Sequence, residues 1–547
     1  MIGGGLAGMT ACLELVRLGM NVRLYEASHR LGGKAGSDES PMTVDVNFKV
    51  TPESRLPKGM YSDHGYHLFP DWYVNMRRLW KEIGIDAKKD VFDGGGYRAL
   101  GPAIGGAIAE FGETETADLR QRLAICELIL QQDGDVDELT LQAFLRSRDF
   151  HRDAHPILLD GFILNALTIG EAAISSRCVR DVFRQWLPVF LPPRWPALKG
   201  SLQEILINRL RVRIEQVAQA KRVLFGVHTE HALQELSVSA QGGPVVRIRD
   251  QRSQADLVVE GQPVVMAIPL ERLRAVLAPE AFGVIPEVAR LQRLRANVFS
   301  GLDIHFTTKV PNVSDQHFRL GVSRSAPLPV APEAPDANAL AKYRISGFDI
   351  SQHWRALKKK GNTVLQFVAS DSKEMVGLDP GKFVDVLTTE IAKHIPQARS
   401  KQEVDFYVPH QNVETPLFVN EVGTWKSRPT STAQTCPGLF FAGDFIRNPT
   451  DVASMEGAVR TGLMAAEAVR KHCGEIGKAV EILEPMEPSD DIMKLVGLYQ
   501  VDPVMARLGC FALLAKQAAK QAAKPAAKSA AKLKAKPKAR AKVRVAK

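Results

Sequence analysis

At 547 residues, 45% hydrophobic and 24% charged, the chain is too long for one simple core and has the composition of ordinary globular protein arranged in two or three domains. No run of about 18 apolar residues occurs, so no membrane span is expected; no signal peptide is evident, and six scattered cysteines (12, 126, 178, 436, 473 and 510) with no C-x-x-C point to a reducing, cytoplasmic setting, with no zinc site, other metal site or redox disulfide. The net charge of +10 belongs to the end of the chain: residues 515–547 carry 12 Lys/Arg and no acid, leaving a body of 59 basic and 61 acidic residues.

The first element is a G-x-G-x-x-G formed by Gly3, Gly5 and Gly8. A helix-forming apolar run, Met9 to Leu18, follows it, then a short strand-like run, Val22 to Tyr25, ending at Glu26. This is the order of a dinucleotide-binding βαβ unit: Gly3 for a tight turn, Gly5 for close approach of backbone N–H groups to a pyrophosphate, Gly8 for helix–strand packing, and Glu26 for ribose hydroxyls. The helix N-terminus then faces the phosphates with its partial positive charge. Only Met1 and Ile2 precede the glycines, where a strand of about five or six residues is typical. The expectation is either a truncated start or a poorly built edge to the cofactor site.

The residues after Glu26 read E-A-x-x-R-x-G-G-K, with Ala27, Arg30, Gly32, Gly33 and Lys34. On their own these are a loop with two surface cations. As a pattern they resemble the FAD-binding signature of the flavin amine oxidase and phytoene desaturase superfamily. The resemblance implies that Gly3, Gly5, Leu6, Ala7, Gly8, Glu26 and Ala27 hold FAD, that Arg30 supports the pyrophosphate, and that Gly32, Gly33 and Lys34 pass near the phosphates and flavin.

Residues 35–62 read as loop. Asp63-His64-Gly65-Tyr66-His67-Leu68-Phe69, then Tyr73, Asn75, Leu79 and Gly84, resemble the G-x-H-x-F and Y-x-N-x-x-x-L spacing of plant-type phytoene and ζ-carotene desaturases and squalene-pathway flavoproteins. There the segment runs beside the isoalloxazine ring. His67 is the candidate catalytic base, set against a structural histidine near the flavin. Residues 105–185 are mostly helical by periodicity, with an apolar stripe through Leu119, Leu123, Ile125, Leu128 and Leu130. The stretch from Arg184 to Trp195 mixes Trp, Phe, Leu and Arg around prolines, and reads either as a proline-broken core loop or as an interfacial patch with Arg184 and Arg194 at headgroups.

Leu198 to Gln203 resembles the family's G-x-x-Q return to the flavin domain. Strand-like runs follow near 222–228, 244–249 and 256–268, then Val298–Phe306 and Asn362–Ala369, with a helix over Lys382–His394 and a Pro/Ala-rich surface loop at 326–341. The second strong motif runs from Arg428-Pro429 through Gly443-Asp444 to Ser454-Met455-Glu456-Gly457-Ala458, opening a helix that reaches Val469 with Ser454 as N-cap. It resembles the plant-type carotenoid desaturase pattern, which places Asp444 at the pyrophosphate and ribityl chain and Met455 to Ala458 at the flavin. Residues 490–514 form an amphipathic helix pair packed on the body, and Gln517 onward is Ala/Lys low complexity without core-forming residues.

The fold expected is α/β: a discontinuous Rossmann-type FAD-binding domain (1–84, 198–275, 426–475), a helical substrate or cap region (85–197), an inserted α+β substrate-binding domain (276–425), a helical extension (476–514) and a disordered basic tail (515–547). The resemblance implies one non-covalent FAD and a desaturase-like oxidoreductase acting on a long apolar isoprenoid at a membrane surface. Alternatives are a squalene-pathway dehydroxylase or carotenoid isomerase, a flavin amine oxidase with Trp425 and Tyr407 among few candidates for an aromatic cage, and a non-catalytic flavoprotein docked on membranes. The tail suits an anionic membrane better than nucleic acid.

Overall fold

A computed structural model describes residues 1–516 except 95–97, 105, 112–118, 137, 151–166, 187–194, 322–340, 359 and 487. The Pro/Ala-rich loop, most of the Arg184–Trp195 patch and the tail from Gln517 therefore lie outside the described residues.

The cofactor domain is built on a parallel sheet. Val22–Tyr25 pairs with Phe225–His228, and Val264–Met266 with Leu439–Phe441. Ile2 joins the two pairs by bridging Tyr25 and Met266, with hydrogen bonds from Ile2 N to Val265 O (2.9 Å) and Gly3 N to Tyr25 O (2.8 Å). Ile2 thus holds the centre of the sheet in register. The strands are short and buried, as suits a sheet covered on both faces. The helix Leu6–Arg17 is apolar nearly all round and buried from Leu6 to Val16. It packs against Met455–His472, from the other end of the chain, and against Asn208–Lys221. Gly462 makes the first contact possible: a Cβ there would lie 2.4 Å from the Ala7 carbonyl oxygen.

The second layer is a seven-stranded mixed sheet in the order Val404–His410, Ser300–Phe306, Val364–Ala369, Ile345–Asp349, Phe318–Leu320, Arg98–Ile104, Ala107–Phe111. Its central strands are buried on both faces, with the helix Pro380–Ile391 packed on them through Phe383, Val384, Leu387 and Ile391. Residues 98–111, expected within the helical region 85–197, instead supply the last two strands; the helical reading holds from Leu119 onward. The run is glycine-rich and lacks clean alternation, so its period is ambiguous. His231–Val238, not foreseen, forms a three-stranded antiparallel sheet with Pro244–Asp250 and Asp256–Val259.

Candidate functional site

The glycine loop is shaped by contacts that only glycine permits. Gly3 has φ +101°, and a Cβ on it would lie 2.4 Å from the Ala267 carbonyl oxygen. A Cβ on Gly8 would lie 2.1 Å from the Gly3 carbonyl oxygen. Gly5 bridges Gly32, and Gly33 (φ +55°) sits so close that its Cβ would be 3.1 Å from the Gly5 Cα. The two glycine stretches read separately in the sequence therefore meet backbone to backbone.

Gly5 is the N-cap of Leu6–Arg17 and offers no side-chain acceptor, and the first turn holds no acid. The N–H groups of Leu6, Ala7 and Gly8 are left for an external anion. Glu26 closes the loop from the far side: its carboxylate accepts from Gly4 N (2.7 Å) and Ser28 N (2.8 Å). Each oxygen keeps a further lone pair for a hydroxyl donor. An uncapped helix end, a Cβ-free approach and a carboxylate beyond it fit the pyrophosphate and ribose of FAD.

Other expected residues are engaged elsewhere. The Arg30 guanidinium pairs with Asp38 (3.0 and 2.6 Å) across Gly36 instead of lying free for a phosphate. Lys34 Nζ donates to the Pro416 carbonyl (2.5 Å) and stands 3.6 Å from Glu271, whose two oxygens have no hydrogen-bond partner. Burial pushes the Glu271 carboxyl upward against the pull of Lys34, and neighbouring Asp444 adds to the rise. Gly443 (φ +139°) is tied to the Met455–His472 helix by Thr461 Oγ1, which accepts from its N–H at 3.0 Å.

Ser454 caps that helix as expected, its hydroxyl accepting from Gly457 N at 3.1 Å. Glu456 does not offer its side chain to a cofactor. Its buried carboxylate accepts from Asn75 N (3.0 Å), Asn75 Nδ2 (2.8 Å) and Met76 N (2.8 Å), holding the start of helix Val74–Glu82. Burial pushes its pKa up, and these three donors oppose the rise. Ser454, Met455 and Ala458 remain half-buried, while Gly457 is buried.

A bridge of polar contacts leads from Ser37, just past the second glycine stretch, to a small, partly open pocket. Gln203, in a π-helical turn Gln203–Ile207, accepts from Ser37 N (3.4 Å) through Oε1, and its backbone N donates to Ser37 Oγ (3.0 Å). Ser37 donates to Asp63, and Leu202 N lies 3.3 Å from both Asp63 oxygens. The cavity wall is mostly apolar, with Leu68, Phe92, Leu198, Phe348, Ile350 and Trp354, and its polar edges are Asp63, His67 and Gln366.

The electrostatics separate these polar groups. Desolvation pulls His67 down to about 4, and His64 well below its usual value, so both rings are neutral near pH 7. Their Nε2 atoms lie 3.2 Å apart, one donating to the other, and His67 Nδ1 has no partner. A base of pKa about 4 has little drive to take a proton at neutrality. Asp63, which the sequence offers only as the first residue of the motif, is pushed up to about 7 by burial, against hydrogen bonds from Ser37 and Leu202.

The two aromatics considered for an amine cage do not line the cavity. Tyr407 is buried in the substrate-domain core and donates to the Ala398 carbonyl (2.9 Å). Trp425 has the guanidiniums of Arg177, Arg428 and Arg447 at 4.1, 5.4 and 5.7 Å from its ring. Arg184, proposed for headgroups, donates to the Ile129 and Gln131 carbonyls, and Trp195 packs edge-on against His317.

Comparison with known proteins extends the geometry. The 15-cis-phytoene desaturase of Synechococcus elongatus is 22% identical over 493 residues, spanning 85% of this chain and 94% of that protein. The zeta-carotene desaturase of Synechocystis is 24% identical over 273 residues, 44% of this chain and 51% of that protein. Wild-type putrescine oxidase, solved with putrescine bound, superposes with TM-score 0.60 at 14% identity, covering 86% of this chain and 98% of the other; an oxidoreductase from Methanosarcina mazei gives 0.57 at 13%, covering 86% and 99%. The sequence pattern of the family described as "Flavin containing amine oxidoreductase" matches residues 6–470. That span runs from the open helix end to the last turn of the Ser454-capped helix, and the chain is an FAD-dependent oxidoreductase belonging to the flavin containing amine oxidoreductase family.

Proposed function

We propose that the protein takes hydride from an allylic carbon of a long apolar isoprenoid, as a carotenoid desaturase-like enzyme. The observation that carries this is the pocket: an aromatic and aliphatic wall with neutral His67 and one carboxyl poised near neutrality at its edge, the carboxyl joined through Ser37 to Gln203. The names of the Synechococcus and Synechocystis relatives support the substrate class. An amine substrate is disfavoured, because three guanidiniums already crowd Trp425 and Tyr407 is sealed in the core.

Bound FAD supplies a two-electron acceptor for the hydride. The apolar wall holds the chain and excludes water. Forming a double bond also releases a proton from the neighbouring carbon, and Asp63 accepts it. His67 stays neutral at that edge of the pocket, its Nε2 held against His64.

A second reading, dehydroxylation of an isoprenoid alcohol, rests on Gln366. Its Nε2 donates to Asp303 Oδ1 (3.0 Å) and the Asp63 carbonyl (3.1 Å), which fixes the amide and leaves the buried Oε1 without a donor. A substrate hydroxyl would supply one; protonated Asp63 would give its proton to that hydroxyl, which would leave as water, and the hydride taking its place would have to come from FAD in its reduced form.

The test is anaerobic incubation of the FAD-loaded protein in liposomes with 15-cis-phytoene. The expected result is bleaching of the flavin band and a product with a longer conjugated system, slowed about 10²–10⁴-fold by Asp63→Asn. Reoxidation of the pre-reduced flavin by an isoprenoid alcohol, with the deoxygenated hydrocarbon as product and no bleaching by phytoene, would select the second reading, and bleaching by amines alone would reject both.

A further inference from the structure

The C-terminal helix pair lies beyond the family-matched residues and has two unlike faces. Its inner face, Ile492, Val496, Tyr499, Ala506 and Cys510, is buried on the body. It is pinned there by Glu127, a fully buried carboxylate in helix Leu119–Leu130 that accepts from Arg507, from Tyr499 Oη and from Arg148 Nε (2.9 Å). Burial pushes the Glu127 carboxyl up, but Arg507 and Tyr499 outweigh it and hold the group below its usual value. Cys126 and Cys510 meet thiol to thiol across the same seam.

The outer face is apolar for no reason the fold supplies. Of the sixteen large hydrophobic side chains exposed among the described residues, six fall between Met493 and Leu508: Met493, Leu498, Val501, Val504, Met505 and Leu508. Val501, at the turn, is 84% exposed, and Val504, Met505 and Leu508 form one stripe of the helix over 503–516 at 55–60%. That helix contains no acid, and its one internal cation, Arg507, turns inward to Glu127. Clustered exposed side chains of this kind mark an interaction surface, where scattered single ones do not. Among the described residues no helix is long and apolar enough to cross a membrane.

From Lys516 the chain runs directly into residues 517–547, which carry 11 Lys/Arg and no acid. An apolar helix face followed at once by a polycation matches the interface of an anionic bilayer, with side chains entering the acyl boundary and cations held by headgroups. We infer that the outward face of the C-terminal helix pair, Met493 to Leu508, is the site at which the protein docks on an anionic lipid surface. One signal of either kind gives marginal, reversible binding, and the two together give stable attachment. The proposal does not use the identity of the substrate, so it stands or falls apart from the desaturase reading.

The test uses the full-length, FAD-loaded protein and flotation with phosphatidylcholine vesicles, with and without phosphatidylglycerol. The wild type floats with the anionic vesicles. Val504→Asp/Leu508→Asp lowers partition about tenfold or more at both low and high salt, while flavin absorbance and melting temperature hold, because both side chains point to solvent. Removing residues 517–547 removes only the salt-sensitive part. Equal flotation of the wild type and the double-aspartate variant overturns the proposal. So does a wild-type dimer, seen by light scattering without vesicles, that the aspartates convert to monomer; the face would then belong to a second copy. Tight binding to duplex DNA with no flotation also overturns it.

Discussion

Two helix N-termini come together in the cofactor domain, one from each end of the matched region, and they are finished in opposite ways. Leu6–Arg17 begins at Gly5 with no side-chain cap and no acid in its first turn. Met455–His472 begins at Ser454, which caps it, with Glu456 in its first turn locked onto Asn75 and Met76. The two helices touch through Gly462 and Ala7 and share one core. The difference teaches that an anion site is made by withholding ordinary helix-ending chemistry, not by adding special residues. The open end leaves its donors to a ligand, and the closed end has spent its side chains on the fold.

The most drastic way to break this contrast is Gly8→Ala. Helix propensity alone favours alanine by about 1 kcal/mol, but the Cβ would sit 2.1 Å from the Gly3 carbonyl oxygen. The backbone must move, a cost of about 3 kcal/mol or more. The expected outcome is protein without visible flavin absorbance, and an FAD content equal to wild type would refute the close-approach argument.

A paired substitution sharpens the contrast. Glu26→Ala should weaken FAD by about 1–3 kcal/mol with little change in the melting temperature of the apoprotein. Glu456→Ala should do the reverse: about 1–3 kcal/mol lost from folding, because Asn75 and Met76 lose a buried acceptor, and unchanged FAD affinity in what remains folded. Equilibrium dialysis and thermal melts read the two separately. Ser454→Ala should cost about 1 kcal/mol of stability, measured by denaturant titration.

Asp63 adds a pH-dependent term beside the loop. Its folded pKa of about 7 lies above the ordinary 3.8, so between these values the native state holds a proton that the unfolded chain has released. Stability is then lost as pH rises from about 4 to about 7. Asp63→Asn should flatten that stretch of the melting-temperature profile. Wild-type turnover, needing ionised Asp63, should rise through about pH 7. A profile unchanged by the substitution would remove Asp63 from both roles.

What the sequence disclosed follows the range of each interaction. The glycine loop, its helix and Glu26 were legible because their geometry is set within 30 residues by spacing and φ. Ser454 was legible because an N-cap acts on a residue three positions on. The hold of Glu456 on Asn75 and Met76 is not legible, because those partners lie 381 and 380 positions away. Arg30 was assigned to phosphate because nothing local distinguishes that from pairing with Asp38. Asp63 does not stand out in the sequence, because the burial that raises its pKa and lowers that of His67 leaves no mark in a local stretch of residues. The strands at 98–111 were missed because short glycine-rich segments acquire their conformation from the neighbours they pair with.

The contact between Ala7 and Gly462 also sets a timetable. The glycine loop leaves the ribosome before the strand Leu439–Phe441 and the helix that completes its packing, which are made about 430–460 residues later. At roughly 5–20 residues per second, that is about 20 to 90 seconds. Throughout that interval the most apolar helix of the domain has no final partner. The nascent chain is therefore a client for protection during synthesis, and flavin capture is a late event, available only once almost the whole matched region has emerged.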